Sequence, residues 1–173
     1  SNESCEVMRR VVFLPIRILL ISTDMIQRIQ SIFLLLAAAA GFGQFVTPYL
    51  TTESGNSAAS VPALADNVLN PMDNPGLLGL CILSGLVSLI AIFLFGNRAL
   101  QARLGGGAAI ASLLLAVLAV FVVYQTTQQL PVDGNTHYGA GLALPAVAAI
   151  FNWLAVRFIH KDENLVRSAD RLR

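Results

Sequence analysis

Between Ile29 and Thr52 the chain carries no charged residue, and Ile32 to Val46 is an almost unbroken apolar run. Wound as a helix, Ile29 to Leu50 would extend roughly 33 Å, enough to cross the ~30 Å hydrocarbon core of a bilayer. A helix buried inside a soluble domain rarely needs that length without a charge. Composition points the same way, since 12% of the 173 residues are charged and mean hydropathy is +0.69, whereas about 25% of a soluble domain is charged. The chain therefore reads as an all-α integral membrane protein.

Four transmembrane helices are expected, at about 29–50, 76–95, 105–124 and 139–159, forming one four-helix membrane domain over 25–160. Residues 1–24 stand apart as an N-terminal extension: Val11 to Ile21 is apolar, but Pro15 and Arg17 break it and it is too short to span. Its Arg9-Arg10 start resembles a signal peptide, yet no small-x-small cleavage site precedes the first span. The segment is expected to lie along the membrane surface or, in the favoured reading, upstream of a natural start at Met25.

The connections have distinct characters. Thr51 to Pro75 is polar, without Lys or Arg, and Val61, Leu64, Ala65, Val68 and Leu69 recur at helical spacing behind Ser60. That pattern predicts a short amphipathic helix resting on the outer surface, with a ligand-binding lid as the alternative. Gly96 to Arg103 reads as a compact polar turn, and Gly105-Gly106-Gly107 as a tight entry to the third helix or a close helix contact. No preceding strand and no following Lys-Ser/Thr supports a phosphate-cradling loop. Gln125 to Tyr138 forms a second outer loop with a turn at Asp133-Gly134-Asn135, and Pro145 predicts a kink in the fourth span.

Orientation follows from charge. All eleven basic residues, Arg9, Arg10, Arg17, Arg28, Arg98, Arg103, Arg157, Lys161, Arg167, Arg171 and Arg173, fall on one side of the four-span arrangement. The opposite loops carry only Glu53, Asp66, Asp73 and Asp133. By the positive-inside rule, both termini are cytoplasmic. Tyr49, Tyr124 and Tyr138 all stand at outer span ends, where an amphipathic ring prefers the headgroup level.

The spans contain no Asp, Glu or Lys, which argues against a proton relay, an ion-coupled carrier or a voltage sensor. Arg28 and Arg157 lie near cytoplasmic ends and can snorkel. Gln44 and Asn152 are the intramembrane polar exceptions, expected to bond across helices, with substrate contact as the alternative. Ala37 with Gly41, Ser84 with Ser88, and Ala108 with Ser112 and Ala116 supply small-residue packing faces.

His137 and His160 fall on opposite membrane faces, and Cys5 and Cys81 are far apart, so neither pair builds a metal, haem or disulfide site. Leu78-Gly79-Leu80-Cys81 superficially resembles a lipoprotein box but lies far from the N-terminus. No nucleophile, base and metal constellation is visible. Catalytic residues, metal ligands and cofactors are accordingly not expected, the protein is not expected to be an enzyme, and a net charge of +1 gives no reason to expect a nucleic-acid partner.

The cytoplasmic amphipathic tail, 161–173, is the densest in chemistry. Leu165, Ala169 and Leu172 share one helical stripe, and Glu163 and Arg167 are an i, i+4 pair in the favoured order. It is expected to continue the fourth helix or lie on the membrane, where Arg167 and Arg171 could meet lipid phosphates; docking to a cytoplasmic partner is the sharper alternative. Candidate contacts to a partner or headgroup are Arg28, Arg98, Arg103, Arg167, Asp170 and Arg171.

The opening Met25-Ile26-Gln27-Arg28-Ile29-Gln30-Ser31-Ile32-Phe33-Leu34-Leu35-Leu36-Ala37 and the closing Lys161-Asp162-Glu163-Asn164-Leu165-Val166-Arg167-Ser168-Ala169-Asp170-Arg171-Leu172-Arg173 resemble the two ends of a family of small four-span inner-membrane proteins of Bacteroidota, a domain of unknown function. The likeness covers Met25 to Arg173 and implies a multi-pass protein of a bacterial inner membrane, with no activity or catalytic residue to carry over. Distinctive cytoplasmic ends on spans without chemistry lead to the expectation of an accessory or assembly subunit of a larger membrane protein complex in the lipid bilayer. A small carrier or lipid-handling protein, using Gln44, Asn152 and a cavity near Pro145, is the alternative.

Overall fold

The computed structural model of the protein describes residues 29–53, 61–94, 96–130 and 136–170, with side chains omitted at 165, 166, 169 and 170. The expectations for the 1–24 extension, a Met25 start, Arg28, the Ser60 cap, the Asp133-Gly134-Asn135 turn and Arg171 lie outside these residues.

Four helices run alternately up and down. They are α1 (Ile29–Gly43), α2 (Pro75–Phe93), α3 (Arg98–Gln128) and α4 (Leu144–Asp170). Pairwise contacts run in reverse order along neighbours: Gly105 meets Val156 while Arg98 meets Asp162, so α3 and α4 are antiparallel. Likewise Gln30 reaches Phe158 while Gly43 lies near Leu144, which sets α1 antiparallel to α4.

Among the described residues α2, α3 and the stretch from Ala140 to Asn164 are long and apolar enough to cross a membrane, and α1 is a shorter apolar helix. The burial pattern is inside-out relative to a soluble bundle. On α2, Cys81, Ser84, Gly85, Ser88 and Ala91 are buried, whereas Ile82, Leu83, Leu86, Ile90 and Phe93 are exposed. Small residues inside let backbones approach: a Cβ on Gly41 would come to 3.1 Å from the Gly85 Cα. The architecture is compatible with a multi-pass membrane protein.

Several boundaries differ from the sequence expectation. The first helix ends at Gly43 rather than near Leu50, because Thr47 returns its backbone N–H and its hydroxyl to the Gly43 carbonyl and Pro48 then forbids a helical continuation. The third helix begins at Arg98, so most of the expected polar turn is helical. Ala99, Leu100, Gln101, Ala102, Arg103 and Leu104 are all good helix formers, and the Asn97 side chain caps them by accepting from the Leu100 N–H at 3.2 Å. The glycine run lies inside this helix, with Gly105 as the close contact: a Cβ there would come to 2.9 Å from Val156 Cγ2. Pro145 is the second residue of α4, where its missing N–H costs nothing; the span expected from Gly139 is divided just before it into a 3-10 turn, Ala140–Leu142, and α4. The tail continues α4 to Asp170.

The expected amphipathic surface helix is absent from the described residues of that loop. A 3-10 turn, Pro62–Leu64, is followed by Asn67 in the left-handed region (φ 62°), by strand β2 (Val68–Leu69) and by a second 3-10 turn, Pro71–Asp73. This strand joins β1 (Leu50–Thr52) and β3 (Thr136–Tyr138) in an antiparallel sheet of order β2-β1-β3. Leu50 stands opposite both Leu69 and Tyr138. Val61, Leu64 and Leu69 point inward and form one cluster with Tyr49, Leu77 and Leu115, which roofs the end of the bundle.

Candidate functional site

Polar side chains gather at three levels: inside the bundle, at its basic end and at its sheet end.

In the bundle, Asn152 of α4 is fully buried between α2 and α3. Its Oδ1 accepts from the Ser88 hydroxyl at 3.0 Å, and its Nδ2 donates to Ser112 Oγ at 3.5 Å. The Ser112 hydroxyl in turn donates to the Ala108 carbonyl at 2.8 Å. Asn152 thus bonds across helices as expected from the sequence, and the small-residue faces of α2 and α3 supply its partners. Gln44 behaves differently. It lies in the turn after α1, and its Oε1 accepts from the Tyr49 hydroxyl at 2.6 Å while its Nε2 reaches back to the Ala40 carbonyl at 3.4 Å. Gln44 therefore fastens the end of α1 to the chain leaving it, not to another helix. Tyr49, read from sequence as an interfacial ring, is fully buried in the roof cluster. Desolvation holds its hydroxyl well above the ordinary tyrosine range. Tyr124 and Tyr138 are exposed, and His137 is exposed on β3.

At the basic end the central feature is an ion pair absent from the sequence reading. Arg98 Nη1 lies 3.0 Å from Asp162 Oδ2, with the Asp162 side chain fully buried. Neither carboxylate oxygen receives a well-aligned hydrogen bond, so the attraction is one of charge. The positive end of α3, whose first residue is Arg98, adds to it. Two glutamines complete the layer. Gln101 Nε2 donates to the Ala91 carbonyl near the end of α2 at 3.0 Å, and Gln30 Nε2 to the Phe158 carbonyl at 3.1 Å. Beyond this layer α4 carries Glu163, whose carboxylate lies 3.3 Å from Arg167 and 3.8 Å from the His160 ring.

The candidate contacts are therefore distributed unevenly. Arg98 is committed to Asp162, and Arg167 to Glu163 while remaining exposed. Arg103 is exposed on α3. Asp170 is the last described residue of α4. The signal that could have found Asp162 is periodicity: Ala148, Asn152, Ala155, Ile159 and Asp162 follow one helical stripe, and all five are buried.

At the sheet end an open cleft of about 480 Å³ runs between the 3-10 turn and α3, bordered by Val61, Asp73, Asn74, Phe121, Gln125 and Gln129. It is walled by mixed polar and apolar side chains and lies away from Asn152. Among the described residues no cluster of His, Cys, Asp and Glu is arranged to hold a metal ion.

A family model described as a domain of unknown function (DUF4293) matches residues 26–172. No curated protein and no solved structure matches the chain.

Proposed function

The chain belongs to the DUF4293 family, and from that premise we propose that it is a non-catalytic accessory or assembly subunit of a larger complex in a bacterial inner membrane. The observation that carries the reading is the continuity of α4: the helix passes without a break from its buried stripe through Asp162 and on to Asp170. Arg98 pins the root of this extension, while Glu163, Arg167 and Ser168 lie outside the pinned layer. A helix held at its base and charged at its end suits docking, because little ordering entropy remains to be lost on binding. In this reading both termini are cytoplasmic, and the basic end of the bundle faces the inner leaflet.

The test is mild-detergent purification of the tagged protein from native membranes, followed by mass spectrometry. Stoichiometric membrane partners that disappear when Arg167 and Arg171 are replaced by Glu are the expected result. Recovery of the same partners from the variant overturns tail docking, and recovery of the protein alone overturns the subunit reading.

The cleft beside Phe121 and Gln125 favours a second reading, a small carrier or lipid-handling protein. In that case Gln125→Leu, in the wall of the cleft, abolishes transport or lipid binding in protein that still folds. Unchanged activity in that variant counts against use of the cleft, and loss of activity in Asn152→Leu alone would move the site to the bundle interior.

A further inference from the structure

Ion pairs sort the basic residues of the lower bundle into two groups. Arg98 is neutralised by Asp162 and Arg167 by Glu163. Arg103 on α3 is exposed and forms no ion pair among the described residues, and neither do Arg157 and Lys161, both exposed on α4. The latter two stand one turn apart, on the stripe that also presents Ile150 and Trp153.

The setting of Arg157 is unusual for a cation near a membrane surface. Side chains of an α-helix lean toward its N-terminus. On α4 that direction leads away from the charged tail and toward the apolar part of the bundle. Accordingly the Arg157 guanidinium does not reach outward. Its central carbon lies 5.5 Å from the centre of the Trp153 ring, one turn back. Trp153 is itself 55% exposed and Ile150 57%. The helix therefore offers, in order, an apolar track at Ile150, an indole face with a cation against it, and a second cation at Lys161. A cation held at that depth without a carboxylate calls for an anion supplied from outside, and the anion present there is a lipid phosphate.

We propose that Trp153, Arg157 and Lys161 form a binding site for an anionic phospholipid, with the headgroup phosphate between the two cations and an acyl chain along Trp153 and Ile150. The site rests on the membrane placement proposed above. It assigns headgroup contact to Arg157 and Lys161 rather than to Arg167, which lies farther along α4 beside Glu163.

Trp153 is the one tryptophan of the chain, so its fluorescence reports on this site alone. The full chain is reconstituted in phosphatidylcholine vesicles containing a small, equal fraction of acyl-brominated phosphatidylglycerol or acyl-brominated phosphatidylcholine. Two cations at the surface should enrich the anionic lipid on the order of tenfold, so brominated phosphatidylglycerol quenches Trp153 far more strongly. The preference should shrink at high salt and vanish in R157Q/K161Q, while His137→Gln, at the sheet end, keeps it. Equal quenching of the wild-type protein by the two lipids overturns the site and leaves the membrane placement standing. Quenching by neither overturns both. A preference that survives in R157Q/K161Q overturns the assignment to these side chains, and the wild-type comparison decides the question if that variant fails to fold.

Discussion

The guanidinium of Arg98 lies 3.0 Å from the carboxylate of Asp162, joining the first residue of α3 to a fully buried position on α4. The pair closes the basic end of the bundle at the level where Gln101 meets α2 and Gln30 meets α4. Removing Arg98 strands a buried carboxylate. Arg98→Ala is expected to destabilise the protein by about 2 kcal/mol, below the ~3–5 kcal/mol of a fully buried pair because solvent screens part of the Arg98 side chain. Asp162→Asn in the same background should recover much of the loss. A double-mutant cycle on thermal unfolding in detergent measures the coupling, and additive effects would show that the contact contributes nothing.

Asn152 connects three helices through two hydrogen bonds. Asn152→Ala should lower stability by about 1 kcal/mol, since such bonds are worth ~0.6 kcal/mol each in membrane bundles and a small void is added. Ser112→Ala should cost less, the Nδ2 contact at 3.5 Å being the longer of the two. Unfolding in a series of sodium dodecyl sulfate fractions resolves differences of this size.

The turn after α1 depends on the Tyr49 hydroxyl. Tyr49→Phe leaves the buried Gln44 Oε1 without its donor and should cost about 1–3 kcal/mol. Burial raises the folded-state pKa of Tyr49 above its unfolded value of about 10. Its contribution is therefore fully present below about pH 10 and is lost as pH rises through the folded value, because the unfolded chain ionises first. Tyr49→Phe should flatten this alkaline loss in a comparison of melting temperatures between pH 9 and 11. An identical alkaline slope in both proteins would remove Tyr49 as its source.

Two glycines are required by the sheet end. A Cβ on Gly139 would overlap the Pro48 carbonyl oxygen, and one on Gly141 would come to 2.7 Å from the same atom and 2.9 Å from the Tyr49 ring. Gly141→Ala should therefore displace β3 from β1 and lower stability by about 1–3 kcal/mol. Gly107→Ala, where nothing lies within 4 Å of the new Cβ, should be neutral or stabilising by about 0.5–1 kcal/mol through helix propensity. Melting temperatures of the two variants should move in opposite directions, or that of the second not at all.

Much of the bundle was legible because α2, α3 and α4 each contain an apolar run bounded by Asn, Gly or charged residues. Their ends were less so. Thr47-Pro48 stops α1, but an apolar run with suitable length for a span masks the stop. The strands contain two or three residues each, too few for alternation to register, and β1 pairs with β3 through contacts such as Thr51 Oγ1 to the His137 carbonyl, 86 residues away. Asp162 was read with the solvated tail because its neighbours Lys161 and Glu163 are charged; only the spacing back to Asn152 and Ile159 places it inside. At the candidate site, the clustering of the basic residues toward one side of the four-span arrangement is visible in the sequence, whereas the pairing of Arg98 with Asp162 depends on helix rotation and on contact between two helices.

The sheet also imposes a schedule. Its middle strand is synthesised early and β2 follows closely, but β3 belongs to the last connection. At ~5–20 residues per second, the 86 residues from Thr51 to His137 take roughly 4–17 s to make. For that interval one edge of β1 has no partner, and α4 has not yet been added beside α1. The clasp is then the final fastening on its side of the protein, and the waiting edge is the place where a chaperone or a second nascent copy could intervene.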